Sequence, residues 1–180
     1  MSVISLRGER VLLRPLRGEE LDTVWQARLD DDTAPWLSTA EAYERLRQRV
    51  ANSGRFVDGW LDLGIESEGR LVGEVDARHP PRTMPEGVFE LGISLFDIAD
   101  RGRGLGTEAI RLLTRYLFEH EAAGRVQAST WVENHGMRRV LEKLGFAEEG
   151  VLRSFMPSER GRDDYVMYAI VHADSGRLGR

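Results

Sequence analysis

The sequence predicts a mixed α/β domain built on one mostly antiparallel sheet. Short apolar runs of strand length recur from about residue 9 to residue 171. Stretches with helical spacing interrupt them at intervals, and no repeat, low-complexity tract or Ser/Gly-rich linker divides the 180 residues. With 41% apolar content the chain can bury one good core. A single domain over 1–180 is expected, with its core at about 9–171.

Glu9 to Leu16 (ERVLLRPL) carries the apolar run of a first strand, closed by Pro15. Leu21, Val24, Trp25 and Leu29 give a helical face over about 18–30, which Asp30-Asp31-Asp32 and Pro35 break. Ser38, with Glu41 three residues on, reads as a capping box opening a second helix with Ala40, Tyr43, Leu46 and Val50. Trp60 to Glu66 and Leu71 to Ala77 are expected as strands joined by a hairpin turn at Glu68-Gly69, and Val88 to Phe96 as the next strand. A long helix from near Thr107 sets Ala109, Ile110, Leu113, Tyr116 and Leu117 on one face. Arg125 to Val132 is a strand, and Met137, Val140, Leu141 and Leu144 mark a short helix capped by Gly145. Phe146 to Phe155 and Tyr165 to Val171 close the order β-α-α-β-β-β-α-β-α-β-β. The tail from Ser175 is expected to fray.

Between the Val88–Phe96 strand and the long helix lies Arg101-Gly102-Arg103-Gly104-Leu105-Gly106. Glycines permit a tight turn and close backbone approach to a ligand. The helix start supplies free N–H groups and partial positive charge, a natural cradle for an anion such as a pyrophosphate. By itself the stretch reads equally as a tight strand-to-helix turn. It is not a Walker loop, because no Gly-Lys-Ser/Thr follows, and its G-x-G-x-G spacing departs from the dinucleotide fingerprint.

Composition narrows the function classes. Twenty-five basic against 30 acidic residues leave a formal charge of −5, which argues against a nucleic-acid partner and suits a cationic one. The absence of cysteine excludes disulfides, thiolate nucleophiles and Cys-based zinc sites. The opening MSVISLRGER lacks the features of a signal peptide, and no apolar run approaches a membrane span. A cytoplasmic protein without membrane contact or metal is expected.

Arg101-x-x-Gly104-x-Gly106 matches the Arg/Gln-x-x-Gly-x-Gly/Ala signature of the GCN5-related N-acetyltransferases (GNAT superfamily), and the element order resembles their fold. Later segments sharpen the resemblance towards the RimJ/RimL-type branch, which acetylates ribosomal-protein N-termini. They are Asn134, Glu142-Lys143-Leu144-Gly145-Phe146, Glu149-Gly150, Arg153, Gly161, Asp164 and Tyr168, together with the early VLLRPL. The likeness spans about residues 9–171.

That resemblance implies acetyl-CoA as co-substrate. The amides of Arg103, Gly104, Leu105, Gly106 and Thr107 would hold its pyrophosphate. The strand at Ser94, Leu95 and Phe96 would pair with the pantetheine, and the Ser94 N–H would polarise the thioester carbonyl. Asn134 would hydrogen-bond the pantetheine arm, with a helix N-cap as the lesser alternative. Arg101, Arg103, Arg138 and Arg139 are candidates for the nucleotide phosphates, and each reads equally as a solvated surface charge.

The chemistry needs a neutral amine. A lysine-type amine has a pKa of about 10.4 and an α-amine about 7.7–8.0, so a proton acceptor is required. Glu90 is the leading candidate, because histone-type members place their base glutamate in this strand. Desolvation within an apolar run would raise its pKa, and the alternative is a charge on the solvent side of the strand. Glu133 and His135 are further candidates. The position where many relatives carry a general-acid tyrosine is Leu141, and the usual small residue three after the asparagine is Met137. Ser154, Tyr165 and Tyr168 are the available substitutes. Without cysteine, direct transfer in a ternary complex is expected rather than an acyl-enzyme.

The resemblance implies a primary amine as acceptor, either a peptide N-terminus or a small molecule. Around its cleft the fold would bring Asp30, Asp31, Asp32, Trp36, Trp60, Arg153 and Glu159. A non-catalytic acyl-CoA sensor and a transferase for another acyl donor stand as alternatives, and family habit leaves a homodimer open.

Overall fold

A computed structural model of the chain describes residues 3–29, 39–158 and 161–178. Its described strands form one sheet, in the order β1-β2-β3-β4-β5-β6-β8-β7. Every neighbouring pair is antiparallel except β5 and β6. The predicted mixed α/β class with a mostly antiparallel sheet is therefore what the chain adopts.

The first predicted strand, Glu9 to Leu16, shortens to β2 (Leu12–Arg14), and an unpredicted strand, β1 (Leu6–Arg7), precedes it. The residues between them find a partner outside the sheet. The Glu108 carboxylate, from the first turn of helix α3 (Leu105–His120), accepts from the amides of Glu9 and Arg10, the latter at 3.2 Å. A turn of 3-10 helix, Gly18–Glu20, leads into α1 (Leu21–Leu29). Helix α2 (Ala40–Asn52) is capped by Thr39, whose hydroxyl accepts from the Ala42 amide at 3.1 Å. The cap thus falls one residue after the expected Ser38, which lies outside the described residues.

Strands β3 (Trp60–Ser67) and β4 (Arg70–Arg78) meet at the predicted turn, with Glu68 and Gly69 at φ 52° and 78°. That pair of left-handed residues matches the twist of a tight hairpin. Strand β5 (Val88–Leu95) follows, and α3 begins two residues before the expected start. Then come β6 (Arg125–Trp131) and α4 (His135–Lys143). Gly145 terminates α4 at φ 85°, with its N–H on Glu142 O and the Phe146 N–H on Leu141 O, both at 3.0 Å. Strands β7 (Ala147–Ser158) and β8 (Gly161–Val171) both run longer than predicted.

The main core packs α3 and α4 against the sheet through Leu105, Ile110, Leu113, Leu117 and Leu141. A second cluster, Leu16, Val24, Leu46 and Val50, joins α1 and α2, with Leu71 and Phe96 packed against it. The tail does not fray as far as Leu178, whose side chain is buried in the main core after a 3-10 turn over His172–Arg177. No helix among the described residues is long and apolar enough to cross a membrane.

Candidate active site

Strand β5 is where the sheet opens. Its parallel pairing with β6 covers only Val88, Phe89 and Glu90, opposite Arg125, Val126 and Gln127. Beyond that point β5 pairs with β4 alone, and β6 with β8 alone. The two strands part after Glu90, leaving a fork with an unpaired backbone edge on each side.

Register decides which β5 amides face the fork. The Phe96 N–H donates to Val72 O at 3.0 Å, and β4 and β5 continue in unbroken antiparallel register to Arg78 and Glu90. Bonded and non-bonded pairs alternate in such a ladder, so Ser94 and Phe96 turn their backbone groups towards β4. Ile93 and Leu95 present theirs to the fork. The sequence expectation for the Ser94 amide is corrected here, because β4 already uses that edge. Of the predicted pairing residues Ser94, Leu95 and Phe96, only Leu95 keeps its amide for a ligand, and Ile93 joins it.

At the open end of β5 the glycine loop turns into α3. Gly102 and Gly104 have φ of 73° and 84°, a region costly for any residue with a Cβ. The Glu108 N–H is taken by Gly104 O at 3.0 Å, but no acceptor among the described residues meets the amides of Leu105, Gly106 or Thr107. A Cβ on Gly106 would reach only ordinary contact with the side chains of Ile93 and Leu95. Free amides at a helix start, beside an unpaired strand edge, suit a ligand with a phosphate group and an amide-bearing arm.

The loop is clamped from below. Asp100, only 1% exposed in its side chain, accepts from Arg70 at 2.9 Å and Arg103 at 3.1 Å, and Arg103 also reaches Glu68 at 3.0 Å. Arg70 above all holds the Asp100 carboxyl below the usual carboxylate range. Arg103 O accepts from Arg10 at 2.7 Å. Arg103 therefore anchors the loop to the β3–β4 turn and is not free for a phosphate. Arg101 is exposed and holds no ion pair among the described residues.

Across the fork, Asn134 caps α4, its Oδ1 accepting from the Met137 amide at 3.1 Å. Its side-chain NH2 has no hydrogen-bond partner among the described residues. Arg138 is committed elsewhere, to Val132 O and Glu148 at 3.1 Å and to the Tyr168 hydroxyl at 3.2 Å, which corrects its assignment to nucleotide phosphates. Tyr168 is fully buried, and its hydroxyl is shared among Arg138, Glu142 and Glu148, so it is no general acid for the fork. Leu141 is fully buried in the core.

The opposite face of β4 and β5, beneath α1 and α2, is polar. Arg28 grips both oxygens of Glu74 at 2.8 and 2.9 Å, and Arg49 chelates Asp62. Arg78 donates to Glu90 at 2.9 Å, and Gln127 to the other Glu90 oxygen at 3.2 Å. Glu90 is thus half-buried at the branch point, not a solvent-facing charge. Arg49 and Arg78 lie 4.8 and 5.7 Å from the Trp60 ring centroid. Asp76, between these groups, is pushed up to about 6, chiefly by burial, against the opposing pull of Arg78 and Arg49. A cavity of about 190 Å³ opens here between α1, β4 and β5. Asp30, Asp31, Asp32, Trp36 and Glu159 fall outside the described residues, and Arg153 is exposed.

Residues 10–147 match the acetyltransferase (GNAT) domain. The chain belongs to the GNAT family. It is an acyltransferase of that family, and its relatives carry matching names. It is 34% identical over 173 residues to "Uncharacterized N-acetyltransferase YoaA" of Bacillus subtilis (strain 168), covering 92% of this chain and 96% of that one. To "Probable N-acetyltransferase YjcK" of the same organism it is 35% identical over 108 residues, 60% of this chain and 59% of that relative's length. Among solved structures, Mycobacterium smegmatis RimJ in complex with CoA-disulfide superimposes with a TM-score of 0.76 at 22% identity, covering 98% of this chain and 92% of that one. That likeness establishes the RimJ-like fold.

Within this GNAT domain, sequence reasoning missed Asp76, Arg78, Asp100, Glu108 and Gln127. Each carries charge or amide chemistry inside a strand, loop or helix whose partners lie far off in the chain. Asp100 alone had a local signal, standing three residues before Arg103.

Proposed function

We propose that this GNAT protein moves an acetyl group from acetyl-CoA to a primary amine, on a peptide N-terminus or a small molecule, in a ternary complex. The observation that carries the reading is the conjunction of free α3 amides with the unpaired β5 edge at Ile93 and Leu95. Acetyl-CoA would supply a thioester activated towards an amine. The amides of Leu105, Gly106 and Thr107 would hold its pyrophosphate, with Arg101 nearby as a mobile counter-charge. The fork edge would receive its amide-bearing arm as an added strand, and the Asn134 side-chain NH2 would bond it from across the fork.

The acceptor approaches from the polar face of β4 and β5. Its nitrogen bonds to the acetyl carbon, the carbon–sulfur bond breaks, and a thiolate leaves. A thiol pKa near 8.5 makes that thiolate a tolerable leaving group, so solvent water can reprotonate it without a tyrosine at position 141. A carboxylate of the β4–β5 face removes the ammonium proton. The likeness to RimJ favours peptide N-termini as the first acceptors to try, and a cytoplasmic site of action goes with that reading.

Thiol release from acetyl-CoA across a panel of amines tests the proposal, with product masses checked. The panel holds peptides varied at residue one, polyamines, aminoglycosides and free amino acids. Release above the hydrolysis blank, with an acetylated product, is the expected result. Silence with acetyl-CoA still bound would favour another acyl donor or a sensor role, and absence of acetyl-CoA binding would remove the reading altogether.

A further inference from the structure

We propose that Asp76 receives the proton of the incoming ammonium group, and that Glu90 keeps Asp76 available by taking the hydrogen bond of the Arg78 guanidinium that lies between them. The inference rests on the transfer reading and assigns a step within it. On the face beneath α1 and α2, the carboxylates of Asp62, Glu74, Asp76 and Glu90 meet the guanidiniums of Arg28, Arg49 and Arg78. Three of the acids are taken in hydrogen-bonded pairs: Glu74 by Arg28, Asp62 by Arg49, and Glu90 by Arg78. Asp76 is held by ion pairs alone, with no hydrogen bond among the described residues. Arg78 Nε lies 3.2 Å away and Arg49 3.9 Å, yet Asp76 Oδ2 and Arg78 Nε are both buried without a hydrogen-bond partner.

An orphaned carboxylate oxygen is expensive unless something donates to it. Asp76 also lines the cavity of about 190 Å³, together with Ser94 and the Arg28–Glu74 pair. The room is built in. Gly92 stands opposite Asp76 in the β4–β5 ladder, and a Cβ there would come within 2.6 Å of Asp76 Oδ1. The cavity and the fork also share Ile93, whose backbone faces the fork. An ammonium donating to Asp76 therefore sits across one strand from the donor side. The Ser94 hydroxyl lines the same cavity, so Ser94 belongs to the acceptor side and not the oxyanion side.

The charge balance suits the task. Burial and the neighbouring Asp62 and Glu74 raise the Asp76 pKa to about 6, against Arg78 and Arg49. A base at that level is mostly ionised at neutral pH and far better matched to an α-amine of about 7.7–8.0 than an ordinary aspartate at about 3.9. The proton passes from the ammonium nitrogen to the Asp76 carboxylate, and the freed lone pair forms the new bond to the acetyl carbon.

The test pairs a pH profile with a direct titration. In acetyl transfer to an alanine-led peptide, kcat/KM should fall on the acid side near pH 6. Asp76→Asn should remove that limb and lower kcat/KM about a hundredfold, with Asp76→Glu recovering part of the rate. Glu90→Gln, which releases Arg78 towards Asp76, should move the limb to lower pH. An Asp76→Asn enzyme within threefold of wild type and with its limb intact would overturn the proposal. Independently, 13C NMR of the wild-type aspartates should show alaninamide or propylammonium displacing the Asp76 titration to lower pH. No displacement by either amine overturns the Asp76 assignment even if transfer is never detected, whereas failure of acetyl-CoA to bind would sink the transfer reading alone.

Discussion

On the α3 side of β5 the site is made of main chain: the amides of Leu105, Gly106 and Thr107 and the edge at Ile93 and Leu95. On the α1 and α2 side it is made of side chains: Arg28, Arg49, Asp62, Glu74, Asp76, Arg78 and Glu90. The main-chain side needs little from residue identity beyond the glycines that permit its path. The side-chain side depends on which acid meets which guanidinium, and one changed partner redistributes the whole set. The first suits a ligand common to a family, and the second suits an acceptor that differs between members.

The largest effect expected on the main-chain side is from Gly104→Val. A β-branched residue at φ 84° carries strain of about 1–3 kcal/mol, and its Cβ would stand 3.3 Å from Arg10. Calorimetric affinity for acetyl-CoA should fall at least tenfold while the far-ultraviolet spectrum is kept. Unchanged affinity would detach the loop from the ligand. Next comes Glu108→Ala, which leaves the Glu9 and Arg10 amides without their carboxylate. A loss of about 1–3 kcal/mol in urea unfolding is expected, and a loss within experimental error would show that water replaces Glu108 at no cost.

Asp76 and Asp100 set the two sides against each other through pH. Asp76 has a folded pKa raised from 3.8 to about 6, so ionising it costs the folded state more than the unfolded one. No penalty exists below the unfolded value; it grows between about pH 4 and pH 6 and is complete above. Asp76→Asn should therefore stabilise the protein by about 3 kcal/mol at pH 8 and by nothing at pH 3.5. Asp100 has the opposite sign, its carboxyl being depressed by Arg70 and Arg103. Its stabilisation is present above the unfolded value and is lost as pH falls through the lower folded value. Asp100→Asn should lower Tm at neutral pH and flatten the acid end of the stability curve. Like pH dependence in both variants would dissolve the contrast.

The smallest effect sharpens the boundary of the donor side. Arg138→Ala should leave acetyl-CoA affinity within twofold, because Arg138 is engaged by Val132, Glu148 and Tyr168. Arg101→Ala, at an exposed cation without an ion pair among the described residues, should weaken it severalfold and more so at low salt. The reverse ranking would return Arg138 to the nucleotide.

Legibility followed the same division. The glycine loop could be read because left-handed backbone at Gly102 and Gly104 demands glycine whatever surrounds it. Asn134 and Gly145 bracket α4 for equally local reasons, as N-cap and C-terminal cap. The first strand was misjudged because Glu108, far along the chain, takes the amides that a strand neighbour would have used. Glu90 was found through the strand it occupies, but its engagement with Arg78 and Gln127 was not visible. Asp76 was passed over because, in one dimension, it is a polar residue alternating within a strand.

The sequence by itself determined the element order from α1 onward, the mixed α/β class, the glycine loop and the caps of α4, since these follow from local dihedral preference and hydrophobic period. The tertiary structure alone decided that β5 and β6 part after Glu90, that Ile93 and Leu95 rather than Ser94 face the fork, and that Arg103 and Arg138 are held by protein acids. It also left Asp76 with ion pairs but no hydrogen bond among the described residues. Those outcomes are competitions among charges and strand edges drawn from distant segments, and a competition is settled only when all its contestants are in place.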